Sequence, residues 1–455
     1  MNFYFDAAKT LDRLDAKQGS IKGTIATLPE KNRKRTSALI IETLKYKSAL
    51  TEIIQKADLL KQERKFLKSS NLALVLVHDL LLAKGIQAGD GPIKQAVLRH
   101  KTRLNAEFTK LKIKRKATSN LDLAQGADAR ASKIPRYVRV NTKFWATSEA
   151  LTYFTEKGFS NGDPLDSSTA FAQDKHIPDL LLFSPQTSFQ DDPAYISGKL
   201  ILQDKASCFP AFVLSPPAHE KTVAIDATAA PGNKTSHLSA LMKGKGKLYA
   251  FERDRKRFGT LKMMLQKAAC DNVEPVNADF LTIDPSDPKY ASVTHILLDP
   301  SCSGSGIVNR LDHLLSAEND DEDGDEDRLL KLAAFQLKMI KHAMQLQKIV
   351  YSTCSIHAIE NEHVVSAALE SEEATAGGFV LAPRQKVLPK WERRGYQKDM
   401  KTGDAEGLVR CLPGEDATNG FFVSCFVRKS PGRKRNAQSD DIEDGLRKQK
   451  RSRTK

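Results

Sequence analysis

No CxxC pair occurs in the 455 residues, and the six cysteines, at 208, 270, 302, 354, 411 and 425, are scattered. A disulfide scaffold needs dense cysteines in a short chain, and a structural zinc site usually draws on closely spaced ligands, so the sequence argues against both. Each cysteine is then a small buried hydrophobe or a reactive thiol, and its position decides which. Long apolar runs are missing too: none approaches the ~18 consecutive residues that span a bilayer. The start "MNFYFDAAKT" has neither the basic flank nor the apolar core of a signal peptide. A soluble intracellular protein with no membrane partner is expected. Neither GxGxxG nor a Walker A loop is present, which argues against a dinucleotide or a nucleoside triphosphate cradled on a glycine-rich turn. Internal repeats are also lacking.

Positive charge is in excess: 71 Lys and Arg against 56 Asp and Glu, a net +15. Such a balance favours a polyanionic partner, nucleic acid first. Residues 1–130 alone carry 26 basic and 13 acidic residues. Their apolar residues recur at helical spacing in "LIIETLKYKSALTEIIQKADLL" and "LALVLVHDLLLAKG", so a basic, RNA-binding helical domain is expected over 1–125. Its clusters "KNRKR" at 31–35 and "KLKIKRK" at 110–116 would each alone read as ordinary solvated faces. The segment "SNLDLAQGADARASKIP" breaks the helical pattern. A small α+β unit is expected over 134–200, with strands "RYVRVNT" and "DLLLFSP" around the helix "SEALTYFTEKGF".

From about residue 201 apolar strands alternate with amphipathic helices up to "GFFVSCFVR", which predicts a doubly wound α/β domain on a parallel sheet over 201–428. The acidic run "ENDDEDGDED" at 318–327 predicts a disordered loop over 316–328. The tail 429–455, with "RKSPGRKR" and "RKQKRSRTK" across its start and end, predicts a disordered basic segment and a nuclear or nucleolar address.

In an open parallel sheet ligands bind beyond the carboxyl ends of the strands. After "TVAI" come Asp226 and the small-residue turn "ATAAPGNKT", whose small side chains let a ligand approach the backbone. Glu252 ends the next strand, 20 residues after Gly232, the offset of an acid that accepts from ribose hydroxyls. Asp279 and Asp299 end the third and fourth strands. Any one of these acids reads equally well as a helix cap. Four in succession suit a ligand with a ribose, an adenine and a cation, which describes S-adenosylmethionine. Cys302 follows the fourth strand and Cys354 the fifth, so adjacent loops bring two thiols to the same cleft. A thiolate added at C6 of cytosine turns C5 into a carbon nucleophile for an electrophilic methyl, and a second group must then help break the C6–S bond.

"DATAAPGNKTSHL", "LLDPSCSGSG" and "YSTCSIHAIENEHVV" resemble motifs I, IV and VI of the Nol/Nop/Sun family of RNA cytosine-C5 methyltransferases, and "PRYVRVNT" and "LILQDKAS" resemble its upstream signatures. The likeness runs from about 134 to 427. "QGSIKG" at 18–23 and the serine of "DPSCSGSG" resemble the fifth Sun-domain subfamily, which modifies large-subunit ribosomal RNA. The resemblance implies a Rossmann-like methyltransferase sheet behind an RNA-recognition-like subdomain. It implies Cys354 as nucleophile, Cys302 in product release, and Asp299 at the base N3 and N4. For S-adenosylmethionine it implies Thr228, Ala229, Ala230, Pro231, Gly232, Asn233, Lys234, Glu252, Arg257, Asp279 and Asp299. Expected partners are large-subunit rRNA or a pre-ribosomal particle, with no DNA and no metal, for a monomer in the nucleolus. An rRNA-binding assembly factor whose methylation is secondary is the alternative. Three positions depart from the family pattern: Ser301 for a proline, Thr228 for a cysteine and Glu252 for an aspartate. None removes a reacting group.

Overall fold

A computed structural model describes residues 1–429, apart from 17, 20, 126–127, 309–313, 315–321 and 347. Its first part is helical, with longer helices at Asn2–Asp15, Arg33–Lys45, Lys47–Lys56, Ser70–Leu82 and Lys101–Lys114. Their apolar faces meet in one core, which includes Leu11, Ile40, Leu50, Ile53, Val75 and Leu104. Ser69 caps the helix Ser70–Leu82 by accepting from the Leu72 N–H.

A five-stranded sheet follows, ordered β2-β3-β4-β1-β5. The strands are β1 (Arg136–Val140), β2 (Ser160–Asn161), β3 (Ala170–Gln173), β4 (Leu180–Phe183) and β5 (Leu200–Leu202). The helix Thr147–Glu156 packs Phe154 against Phe171, Phe183 and Phe189. Since β5 pairs with β1, this sheet extends two residues past the boundary expected at 200.

The second sheet has eight strands: β6 (Val223–Asp226), β7 (Lys247–Phe251), β8 (Val273–Val276), β9 (Val293–Leu298), β10 (Lys348–Thr353), β11 (Phe379–Leu381), β12 (Val409–Cys411) and β13 (Phe421–Arg428). Their order is β11-β13-β10-β9-β6-β7-β8, with β12 also paired to β13. Strands β6 to β10 are mutually parallel, whereas β11 and β12 pair antiparallel with β13, and β13 antiparallel with β10. The expected parallel sheet is therefore mixed, because β13 returns toward β10 instead of crossing over. Alternation sorts the strand residues: Leu297 and Val350 face the helix Lys205–Leu214, while Ile296 and Ile349 face the core holding Met339 and Ile340 of the helix Glu322–Ala343. Both faces are covered, which is why these strands read as nearly continuous apolar runs.

The acidic segment differs from expectation. Residues from Glu322 onward form the long helix Glu322–Ala343; 315–321 lie outside the described residues, as does the tail beyond 429. Composition alone thus misread the second half of this run. No helix is long and apolar enough to cross a membrane among the described residues.

Candidate active site

Strand order reverses between β6 and β9, and a crevice forms where the connections leave in opposite directions. A cavity of about 420 Å³ opens there, beyond the carboxyl ends of β6, β7, β8, β9 and β10. Thr228, Ala230, Pro231, Lys234, Glu252, Arg257, Asp279, Asp299, Cys302 and Cys354 all line it. Ala229, Gly232 and Asn233 do not. The Ala229 N–H donates to the Phe251 carbonyl at 2.8 Å, and Asn233 Nδ2 turns to the Leu202 carbonyl. Gly232 has φ +115° and precedes the helix Asn233–Leu241; a Cβ there would lie 3.3 Å from Leu261 and Met264.

One end of the cavity suits an adenosine. Glu252 is almost fully buried; its Oε1 accepts from the Asp254 N–H at 2.8 Å, and Arg257 Nη1 stands 3.5 Å from Oε2. Arg257 also donates to the Ala230 carbonyl at 2.8 Å, so it ties the motif I turn to Glu252. Asp279 caps the short helical turn Phe280–Thr282 through the Leu281 N–H, and Arg253 approaches it at 3.4 Å. Phe251, Phe280, Phe335 and Met339 add apolar walls that the sequence reading missed. The set of groups, with the buried carboxylate of Glu252 and the part-exposed one of Asp279 beside apolar walls and a small-residue turn, fits a ribose, an adenine and a sulfonium cation.

The other end holds the reactive groups. Asp299 Oδ2 accepts from Lys234 Nζ at 2.7 Å, its Oδ1 from Ser352 Oγ at 2.7 Å, and its backbone N–H donates to Thr228 Oγ1 at 3.1 Å. A helix residue, Lys234, and a β10 residue, Ser352, thus hold the carboxylate, while Thr228 in the turn after β6 accepts from the backbone of Asp299. Asp299 and Cys354 both favour the charged form of Lys234 against the cost of its burial. Its Nζ therefore belongs with the thiols rather than with the adenosine end.

Cys302 Sγ and Cys354 Sγ are 3.0 Å apart; neither forms a disulfide, and both are partly exposed to the cavity. The hydrogen bond to Cys354, and then burial, hold the Cys302 thiol far above its ordinary range. The two thiols form a hydrogen-bonded pair in which either sulfur can donate to the other. By contrast Cys208, Cys411 and Cys425 are fully buried in the core and Cys270 nearly so, as expected of structural thiols.

Residues 211–427 match the 16S rRNA methyltransferase RsmB/F family. Residues 34–124 and 134–203 match the N-terminal and ferredoxin-like domains of NOL1/NOP2/Sun domain family member 5. The chain is 43% identical over 429 residues to the 25S rRNA (cytosine-C(5))-methyltransferase rcm1 of Schizosaccharomyces pombe, covering 93% of this chain and 91% of that protein. It is 41% identical over 441 residues to a Mus musculus 28S rRNA (cytosine-C(5))-methyltransferase, covering 94% and 91%. A solved methyltransferase homologue from Pyrococcus horikoshii shares the fold at a TM-score of 0.52 and 22% identity, covering 82% of this chain and 99% of that one.

Proposed function

The chain belongs to the RsmB/F family of rRNA methyltransferases and is an RNA (cytosine-C5)-methyltransferase, and on that premise we propose that it methylates C5 of a cytidine in large-subunit rRNA through a covalent cysteine adduct. The substrate follows from the relatives, which are named for 25S and 28S rRNA. The 3.0 Å pairing of Cys302 and Cys354 beside Asp299 carries the mechanism.

S-adenosylmethionine, held by Glu252, Asp279 and the cavity-lining Thr228, Ala230 and Pro231 of the turn, would supply the electrophilic methyl that C5 takes. The chain's own residues do the rest on a cytosine taken out of its stack. Asp299, fixed by Lys234, Ser352 and Thr228, accepts from the exocyclic amine and orients the ring. Cys354 forms the bond to C6 as its thiolate, receiving a hydrogen bond from Cys302 until attack. Once Cys354 is bonded to carbon, its hydrogen bond and charge no longer raise the Cys302 pKa, although burial and Asp299 still do. Cys302 gives up its own proton to solvent through the open side of the cavity and, as the thiolate, takes the proton leaving C5. The C5–H electrons restore the ring double bond and expel the Cys354 thiolate. The basic helical domain, residues 1–125, and the small unit near 134–200 would hold the phosphates. A nucleolar role in ribosome biogenesis follows from that substrate, and the chain is taken to act as a monomer.

Cys354→Ala is expected to abolish methyl incorporation into large-subunit rRNA; retention of full activity would rule out the adduct. Cys302→Ala should instead accumulate an RNA adduct, visible as a slow band on a denaturing gel. An assembly factor whose methylation is secondary would show normal subunit assembly with Cys354→Ala in place of the native chain.

A further inference from the structure

After β10 the segment His357–Glu362 sends three consecutive side chains, from Glu360, Asn361 and Glu362, to three different anchor points, and all three are fully buried. Glu360 reaches the Cys302 loop. Its Oε1 accepts from the Ser303 N–H at 2.9 Å and its Oε2 from Ser303 Oγ at 2.6 Å. Gln336 Nε2, from the helix Glu322–Ala343, donates at 3.0 Å both to Glu360 Oε1 and to the Ser301 carbonyl. Tyr351 Oη lies 3.0 Å from Gln336 Oε1 and 2.5 Å from the Glu360 carbonyl oxygen, closing the network. Cys302 therefore sits between two fastened neighbours, Ser301 by its carbonyl and Ser303 by its amide and hydroxyl.

The Cys354 loop is fastened by the other two side chains. Asn361 Oδ1 accepts from Thr353 Oγ1 at 2.6 Å, and its Nδ2 donates to the Ser355 carbonyl at 3.0 Å. Glu362 takes a bidentate pair of bonds from Arg410, whose Nη1 donates to the Ile356 carbonyl at 2.9 Å. Contacts of about 3.2 Å from Ser303 and Ser305 to Ser355 join the two sets.

We propose that Glu360 is a positioning residue for the release step, holding Cys302 through Ser303 and Gln336, while Asn361 positions Cys354 for attack. The inference rests on the roles proposed above for the two thiols. Three donors converge on the two oxygens of Glu360, and a glutamine offers one acceptor oxygen, so Glu360→Gln must break part of the set.

The test uses the full chain, an unmodified large-subunit rRNA transcript and labelled S-adenosylmethionine. Three readouts are taken: single-turnover formation of the covalent band, multiple-turnover methyl incorporation, and the melting temperature. Glu360→Gln and Ser303→Ala are expected to form the band at close to the native rate. Their turnover should fall on the order of tenfold to hundredfold, the scale at which a misplaced reacting group is felt, and the band should persist. Asn361→Ala should slow band formation itself. If Glu360→Gln proves unfolded, Ser303→Ala decides, since it removes one hydroxyl and leaves the Ser303 amide bond in place. Equal losses of band formation and turnover, or native turnover with no persisting band, would overturn the assignment. A Cys302→Ala chain that never accumulates the band would instead defeat the underlying reading of the thiols.

Discussion

A single carboxylate shows how burial and hydrogen bonding compete at this sheet edge. Asp226 is fully buried at the end of β6, and burial pushes its carboxyl up from 3.8 to about 6, although Thr235 Oγ1 and the Thr228 N–H both donate to it. A folded-state value above the unfolded one means that the folded chain holds that proton more tightly. The corresponding stability is fully present below about pH 4 and is lost as pH rises through about 6. Asparagine keeps an oxygen for Thr228 and an amide for the Thr235 hydroxyl. Asp226→Asn is therefore expected to melt with the native chain near the acid end and above it at neutral pH, by roughly 2–4 °C for each kcal/mol relieved. Melting curves across that range check this, and a difference independent of pH would assign the effect to something other than titration. Arg257 teaches the same kind of lesson. Expected from sequence as a cofactor contact, it lines the cavity and its guanidinium also spans the Ala230 carbonyl and Glu252, so it braces that carboxylate as well.

At the scale of elements, the loops after β9, β10 and before β13 are stitched by backbone. The Gly306 N–H donates to the Cys354 carbonyl at 2.9 Å, and the Gly420 N–H to the Gly306 carbonyl at 2.7 Å. A Cβ on Gly306 would meet the Gly420 oxygen at 2.4 Å, a backbone atom with no room to swing away. Gly306→Ala should cost about 1–3 kcal/mol of stability and slow adduct formation while RNA affinity is retained, as gel and filter-binding assays can separate. Gly259→Ala is the contrast. It lies in the helix Arg255–Lys267 with open space around its Cβ, and should stabilise by about 0.5–1 kcal/mol. That contrast marks what sequence can tell. The strand ends were legible because β6 to β10 read as apolar runs punctuated by Asp226, Glu252, Asp299 and Cys354, a local pattern with a one-dimensional signature. The contact of Gly306 with Gly420 joins residues over a hundred positions apart, and the Glu360 network joins three elements. Neither leaves a periodic trace. The helix beginning at Glu322 was missed for another reason: a dense run of acids reads as a solvated loop, whether or not a helix passes through it.

For the whole molecule, the excess charge of residues 1–130 must be sorted into what the fold consumes and what remains for a polyanion. Lys56, Lys114 and Arg115 all converge on Glu52, and Lys110 pairs with Glu107. In the 31–35 cluster Arg33 donates twice to the Leu28 carbonyl, and Arg35 stacks over the Phe3 ring at 3.9 Å. These arginines serve the helical fold, so replacing them would confuse binding with unfolding. Lys31 and Lys34 are exposed, which makes them the cleaner probes of a phosphate-contacting face. Reversing both, Lys31→Glu with Lys34→Glu, is expected to weaken rRNA binding while leaving the melting temperature within about 0.5 kcal/mol equivalent of the native chain. If each lysine neutralises one phosphate, the slope of log affinity against log salt should shrink by about 0.7–0.9 per lysine. Titrations at several salt concentrations measure that slope. An unchanged slope would move the RNA path off this end of the helical domain and onto the small sheet.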